Sequence, residues 1–401
     1  MIETNEMKYP VVRHDNLIID DFYRDLQAKG PVRVQLPYGE PCWLATSYED
    51  VKTVYSDRRF GRELGADRDA PRMMPLNFSD NPAIIANMDP PRHTRLRRLT
   101  LTAFSASQIR KLRGWVEEIV DELLSDLKAA GPGADYVELV AWMLPLRLLT
   151  GILGVTESDI PLFRGWVDTL MAIDQEQDVK AEALGHLIDY IGSLIADRRV
   201  KPTDDLLSIM VNARDNEDQL NEEELLSLSL ALFLAGFETT AAQLGSSLYV
   251  LMSEGRLWQE LLDNPDLLPA AIEELWRWIP SFRFGMPNVR WAKEDVELSG
   301  GVLIPAGDPV LPEHQVANRD ESVLPRGWEI DFHRIAPWPH LSLAVGAHRC
   351  LGAHLANLEI EVTLETLLRR FPTLELAVPA DEVTWSPSTF LRSPEAVPLR
   401  W

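Results

Sequence analysis

The chain has 401 residues, and 62 acidic against 39 basic side chains leave a net charge of −23. Such a field repels nucleic acid and anionic lipid, so neither nucleic acid nor a membrane is expected as a partner. Hydrophobic residues at 46% and charged residues at 25% describe a globular chain. Two cysteines, Cys42 and Cys350, exclude a disulfide-stapled secreted scaffold and a zinc ribbon.

The segment Met1–Lys8 has no apolar core of signal-peptide length, and the expectation is a soluble, cytoplasmic protein. Val32–Leu36 alternates, Pro37-Tyr-Gly39 reads as a turn and Cys42–Thr46 returns, which predicts a strand pair. Helices follow. Ile109, Leu112, Val116, Ile119, Val120, Leu123, Leu124 and Leu127 keep helical spacing, and Gly131-Pro132-Gly133 stops that helix. Further helices are predicted near Leu146–Leu153, Ala181–Ala196, Glu222–Met252 and Leu267–Trp278. The acidic stretch Asp215–Glu224 reads as a surface loop leading into a helix, and Leu225–Gly236 is too short and interrupted to span a bilayer. Val296–Leu298, Ser299-Gly-Gly301 and Val302–Ile304 read as a hairpin, and a last helix runs from near Cys350 to about Arg370. No repeat or flexible linker appears. The expected fold is mainly α with small β-sheets (α+β), a single domain over residues 1–401 rather than two.

The chemistry centres on Gly346-Ala-His348-Arg-Cys350-Leu-Gly352, followed at once by a helical pattern. Unpaired N–H groups and the helix dipole favour a thiolate at Cys350. Gly346 permits a tight turn and Gly352 the close approach of a flat ligand. A thiolate in such a loop can ligate a haem iron axially. A lone cysteine is also commonly an ordinary small hydrophobe, and this loop by itself leaves the two readings level.

Gly346-x-His348-x-Cys350-x-Gly352 resembles the haem-ligand loop of the cytochrome P-450 family, and further motifs stand in that family's order. Ala235-Gly236-Phe237-Glu238-Thr239-Thr240 lies within the apolar helix, where an acid and a hydroxyl are costly without a role. The resemblance implies an oxygen groove at Ala235 and Gly236, with Glu238 and Thr239 delivering protons. Glu274 and Arg277 share a helix face, and with Arg334 they match the family's structural triad. Met88-Asp89-Pro90-Pro91-Arg92-His93 opens a helix carrying His93 and Arg97 one turn apart. The resemblance implies that His93, Arg97, Arg290 and His348 bind haem propionates, while Arg95 and Arg98 read as a solvated face. Asn318-Arg319-Asp320 and Pro339-His340-Leu341 also match, so the likeness covers nearly the whole chain.

The implied fold is a triangular helical prism around a buried b-type haem. Cys350 is the implied iron ligand, and electrons come from NAD(P)H through a ferredoxin reductase and a ferredoxin. Arg95, Arg98, Arg110, Lys111, Arg113 and Arg349 are the implied basic target for the ferredoxin. Dioxygen and a small hydrophobic molecule are the implied substrates. Pocket candidates from matched positions are Met74, Phe78, Ile84, Ile85 and Met88, then Val167, Leu170 and Met171. Ala231 and Leu234 join them from the central helix, Gly285 and Met286 precede Arg290, and Thr389 and Phe390 come from the last turn. Core packing is the competing reading of each, and Arg283 either meets an acceptor on the substrate or reaches solvent.

The sequence departs from the pattern where the family loop opens with Phe-Gly. Here Leu343 and Ala344 stand, which predicts haem binding with a shifted potential. Asn357 and Arg92 also depart, from a common Arg and a common Glu. The expected activity is hydroxylation or oxidative coupling of a hydrophobic natural product in secondary metabolism, aromatic or indole-containing, such as a tryptophan-containing cyclic dipeptide. The alternatives are a peroxide-driven peroxygenase and a non-catalytic haem-binding accessory or sensor.

Overall fold

The computed structural model describes residues 7–10, 14–65, 68–73, 81–172, 175–203, 205–215, 220–283, 289–335, 339–387 and 389–401. Its helices are α1 (Phe22–Gln27), α2 (Tyr48–Ser56), α3 (Arg92–Phe104), α4 (Ala106–Lys111), α5 (Arg113–Ala130), α6 (Met143–Leu153), α7 (Ile160–Met171) and α8 (Gln177–Val200). They continue with α9 (Leu206–Asp215), α10 (Glu222–Gly236), α11 (Glu238–Ser253), α12 (Gly255–Asp263), α13 (Leu268–Trp278), α14 (His314–Ala317) and α15 (Ala353–Arg370). The strands are β1 (Met7–Lys8), β2 (Val32–Gln35), β3 (Cys42–Ala45), β4 (Phe60–Gly61), β5 (Ala134–Asp135) and β6 (Arg290–Ala292). After them come β7 (Val296–Leu298), β8 (Val302–Ile304), β9 (Pro309–Pro312), β10 (Glu375–Leu376) and β11 (Pro398–Arg400). Helix therefore predominates and the sheets are small, as the sequence predicts.

The chain forms two compact units. The first comprises Met1–Thr94 and Glu273–Cys350. It holds a six-stranded sheet of order β1-β2-β3-β9-β6-β4 and the hairpin β7-β8. Antiparallel β2 and β3 are the predicted early pair, and β7-β8 is the predicted hairpin. The core beneath them joins Tyr48, Val51, Val54 and Tyr55 of α2 to Phe60, Val296, Ile304, Val310 and Leu341. Cys42 is buried on β3.

The second unit comprises Arg95–Ile272 and Leu351–Trp401. Its α5 buries Val116, Ile119, Val120, Leu123, Leu124 and Leu127, the stripe that the spacing predicts. That helix ends at Gly131, whose φ of 84° is open to glycine and strained for other residues. A three-stranded sheet of order β10-β11-β5 completes the unit.

The expected single helix over Glu222–Met252 is two helices, α10 and α11, broken at Phe237 (φ −115°, ψ −47°). Asn221 Oδ1 accepts from the Glu224 N–H at 2.8 Å and Glu224 Oε2 accepts from the Asn221 N–H at 3.1 Å, a reciprocal cap that starts α10. Taken together, Glu222–Ser253 is long and apolar enough to cross a membrane, a longer run than the sequence reading allowed. The break, and the buried side chains of Glu238, Gln243, Ser246 and Ser247, are those of an interior helix.

Candidate functional site

Cys350 is the last residue of the first unit, and its thiol is exposed. Its N–H donates to the Leu343 carbonyl at 2.8 Å, closing a loop that contains one turn of 3₁₀ helix at Gly346–His348. Gly346 has φ +77°, and a Cβ there lies 2.7 Å from the Tyr55 carbonyl oxygen, so the turn and the approach to α2 both require glycine. Ala344, at the departure from the family pattern, holds φ +53°, a left-handed conformation that its methyl group strains.

Around the loop stands a buried cationic group. The rings of His93 and His348 lie 4.1 Å apart, which brings two predicted propionate ligands together. Arg290 is buried with its guanidinium over Tyr55, and burial brings its pKa down to about 10. Arg62 is buried too, held by the carbonyls of Ala86 and Val289 and by Asn87 Oδ1. Burial, then repulsion from Arg290, lowers its pKa well below the usual arginine value. Asp89 accepts from the Arg62 N–H and from Lys293, and its field favours the charged forms of both arginines.

Glu274, Arg277 and Arg334 form one hydrogen-bonded network. Arg277 donates from Nε and Nη2 to the two oxygens of Glu274 at 2.6 and 2.7 Å. Arg334 Nε and the Asp331 N–H each donate to Glu274 Oε1 at 3.0 Å. Arg277 also holds the carbonyls of Asn318, Gly327 and Glu329. Asn318 in turn donates to Ser342 Oγ, which donates to the Trp276 carbonyl at 2.6 Å. The network thus anchors the chain entering the cysteine loop. Arg283 neither reaches solvent nor stands open, because it is buried and paired with Asp15.

In the second unit, the predicted relay residues face different surroundings. Glu238 is 3% exposed and its Oε2 has no hydrogen-bond partner. Burial first, and the charge of Asp168 second, raise its pKa to about 8. Thr239 is half-buried, and its hydroxyl donates to the Ala235 carbonyl at 3.0 Å, one of the carbonyls at the end of α10. Ala235 is exposed, Gly236 is half-buried, and a Cβ on Gly236 lies 2.9 Å from Leu149 Cδ1. Arg97 is half-buried on α3.

Of the pocket candidates, Met88, Val167 and Leu170 are covered by protein atoms. Ile84, Ile85, Met171, Ala231, Leu234, Thr389 and Phe390 are half-buried. Thr389 forms a β-bridge with Ala172. Met74, Phe78, Gly285 and Met286 lie outside the described residues.

A family model described as Cytochrome P450 matches residues 169–396. The chain is 41% identical to mycinamicin IV hydroxylase/epoxidase of Micromonospora griseorubida, with all of both chains covered. It is 42% identical to nocardicin C N-oxygenase of Nocardia uniformis subsp. tsuyamanensis, again over the full length of both. The solved structure of HinD with NMFT and NO superposes with a TM-score of 0.94 at 39% identity, covering 99% of each chain. The chain belongs to the cytochrome P450 family. It is a monooxygenase of the haem-thiolate type found in secondary metabolism, and P450s of this type take electrons from NAD(P)H through redox partners.

The residues present fit haem b. The Cys350 thiol is exposed, and Arg62, His93 and Arg290 are buried in the same unit, donors of the kind that a partly buried carboxylate requires. At Gly352 a Cβ meets nothing within 4 Å, so packing within the protein does not require glycine there.

The sequence reading missed Arg62, Asp168 and Glu359. Glu359 of α15 is buried with Oε2 unpartnered, and burial pushes its carboxyl well above the usual range. Each is a charged residue in an unremarkable local pattern, and burial in the fold gives it meaning. The expected docking cations also divide. Arg113 is held by Glu117, Glu361 and Glu365, and Arg95 by buried Glu224 at 2.6 Å. The solvated face expected at Arg95 is therefore an ion pair. Arg98, Arg110, Lys111 and Arg349 are exposed.

Proposed function

We propose that this P450 inserts one oxygen atom from dioxygen into a hydrophobic natural product in the cytoplasm, the whole of residues 1–401 acting as one catalytic domain. The observation carrying the site assignment is the loop that holds the exposed Cys350 thiol just before the N-terminus of α15. That end favours the thiolate. A haem bound through that thiolate supplies the activation of dioxygen. His93, His348, Arg290 and Arg97 neutralise its carboxylates. Glu274, Arg277 and Arg334 fix the chain that enters the loop. Glu238 holds a proton at its carboxyl group at neutral pH, and Thr239 Oγ1, donating to Ala235, keeps lone pairs to accept one. The half-buried pocket candidates are chiefly apolar, which favours an uncharged substrate. A ferredoxin with its reductase is the expected donor, drawn to exposed cations such as Arg110 and Lys111.

Relatives named as a hydroxylase/epoxidase and an N-oxygenase support oxygen insertion, while a similar structure described with biaryl coupling reactivity makes coupling the outcome to test against. The test begins with mycinamicin IV, nocardicin C and a tryptophan-containing cyclic dipeptide, screened for the haem absorption shift caused by water displacement. Turnover of a binding compound with NADPH, a plant-type ferredoxin and its reductase follows. A product mass of substrate plus one oxygen supports the proposal. Twice the substrate less two hydrogens overturns it in favour of coupling, and turnover with peroxide alone in favour of a peroxygenase. Cys350→Ala is expected to lose the carbon-monoxide absorption band of reduced thiolate haem, and a retained band refutes the ligand assignment.

A further inference from the structure

Tyr55 of α2 touches two parts of the candidate site, both in the first unit. Its carbonyl oxygen lies 2.7 Å from the place of a Cβ on Gly346, so its backbone packs against the cysteine loop. Its ring carries the Arg290 guanidinium, whose carbon is 5.6 Å from the ring centre. Both side chains are buried, and a desolvated guanidinium is held over an aromatic face more strongly than an exposed one. Burial lowers the Arg290 pKa, and Tyr55 is the larger of the two groups that oppose the fall, Asp89 the smaller.

The Tyr55 ring is itself held. Its hydroxyl is 3.3 Å from Nδ1 of His314 on α14, and the two rings are 6.5 Å apart. Burial brings the His314 pKa down to about 4, so the imidazole is neutral at pH 7 and the pair is an uncharged hydrogen bond. The start of α14 is tied from several sides. The Glu313 N–H donates to the Ala45 carbonyl at 2.9 Å, and Glu313 Oε2 accepts from the Tyr9 hydroxyl at 2.5 Å. Glu313 Oε1 accepts from Gln315 Nε2 at 3.1 Å, and Gln315 Oε1 accepts from the Phe282 N–H at 2.8 Å. The Phe282 ring meets the imidazole edge-on at 6.1 Å. His314 is thereby fixed, and its hydrogen bond passes that order to Tyr55. The backbone of Arg290 is fixed as well, because β6 pairs with β9 and Arg62 holds the Val289 carbonyl at 2.8 Å.

We propose that Tyr55 and His314 are positioning residues: the hydrogen bond between them fixes the ring on which Arg290 rests, and so holds the guanidinium ready for a haem carboxylate. This rests on the reading of Arg290 as a propionate cation. With its backbone set in the sheet, the freedom left to Arg290 lies in its long side chain. A guanidinium that samples several rotamers pays entropy to form a charge-assisted hydrogen bond, and one already resting on a fixed ring pays less. Neither Tyr55 nor His314 belongs to the motifs read in the sequence, and both act through Arg290.

The test uses the haem-loaded enzyme and two readouts, the propionate bending band of the resonance Raman spectrum and the rate of haem transfer to apomyoglobin. Tyr55→Phe keeps the ring and removes the hydroxyl. It is expected to shift the band and to speed transfer about two- to tenfold, the range for one lost hydrogen bond. His314→Leu is expected to reproduce both changes, and His314→Asn, which keeps a polar atom near the place of Nδ1, to restore the wild-type values. Wild-type band and transfer in Tyr55→Phe overturn the proposal, as do equal changes in His314→Leu and His314→Asn, which mark disturbed packing around α14. A lower apoprotein melting midpoint with an unmoved band marks a merely structural role and overturns it too. Arg290→Met tests the reading beneath. If it leaves band and transfer at wild-type values, the propionate assignment falls, a result distinct from an unmoved band in Tyr55→Phe beside a shifted one in Arg290→Met.

Discussion

Glu274→Gln tests the network that anchors the cysteine loop. The substitution keeps the side-chain volume and leaves two buried guanidinium groups, at 5% and 7% side-chain exposure, without their shared counter-charge. Four donors converge on the carboxylate: Arg277 Nε, Arg277 Nη2, Arg334 Nε and the Asp331 N–H. An amide oxygen retains part of this set, and its NH₂ group faces donors. Removing one partner of a buried pair costs about 3–5 kcal/mol, and the shared acceptor here argues for the upper half of that range. Arg334→Met is milder, near about 3 kcal/mol, because the carbonyls of Pro325, Arg326 and Glu329 that it releases lie toward solvent. The exposed pair Glu254–Arg256 is the control, and Glu254→Gln is expected to cost less than about 0.5 kcal/mol. Urea unfolding followed by far-UV circular dichroism, with haem content measured in parallel, ranks the three. If Glu274→Gln costs no more than Glu254→Gln, the anchoring argument is wrong.

Ala344→Gly exchanges left-handed strain of about 1–2 kcal/mol for a glycine entropy cost of about 0.5–1 kcal/mol, so a gain near 0.5 kcal/mol in unfolding free energy is expected. A loss larger than about 1 kcal/mol refutes the strain. Leu343→Phe is expected to move the haem potential in a redox titration, and identical potentials refute a role for that side chain beside the thiolate. Stability is expected to fall from pH 6.5 to 8. Glu238, raised to about 8, contributes stability that is full below its unfolded pKa and lost as pH rises through 8, worth about 2 kcal/mol over this window. Glu359 acts in the same direction. His314 and His340, buried and lowered to about 4, act oppositely, their stability being full above about 6.5 and lost as pH falls through 4. Glu238→Gln should flatten the alkaline decline in urea midpoints, and an unchanged decline counts against its burial in neutral form.

Periodic elements were legible because their signal is local. The α5 stripe, the Gly131 stop, the β7-β8 hairpin and the extent of α15 follow from neighbouring residues. The break at Phe237 was not read from the sequence, because helical spacing continues on both sides of it and predicts one helix over Glu222–Met252. The pairing of β3 with β9 was not legible, since Trp43 meets Val310 and nothing near either residue announces the other. The α7 helix was passed over although Ile160, Phe163, Val167 and Leu170 form its buried face. The motif residues proposed for the site stand at spacings that the sequence shows, whereas Arg62 escaped because its burial is imposed by contacts with Ala86 and Val289.

Gly346, Ala344 and Gly352 of the cysteine loop meet different backbone and packing demands, and substituting the two glycines should give opposite results. Gly346 is required twice over, by φ +77° and by the Tyr55 carbonyl 2.7 Å from its Cβ position, so Gly346→Ala must displace α2 or the loop. Ala344 meets the same backbone demand without glycine and bears the strain. Gly352 has neither constraint: its φ is −79° and its Cβ position is open. Gly352→Ala in the apoprotein should therefore leave stability unchanged or raise it by about 0.4–1 kcal/mol through the unfolded chain. The same methyl group occupies space that the bound haem is expected to need, so haem content after reconstitution should drop while the apoprotein melts no earlier. Gly346→Ala should instead lower the apoprotein midpoint. A Gly352→Ala protein that reconstitutes fully would show that the glycine serves neither the backbone nor the cofactor.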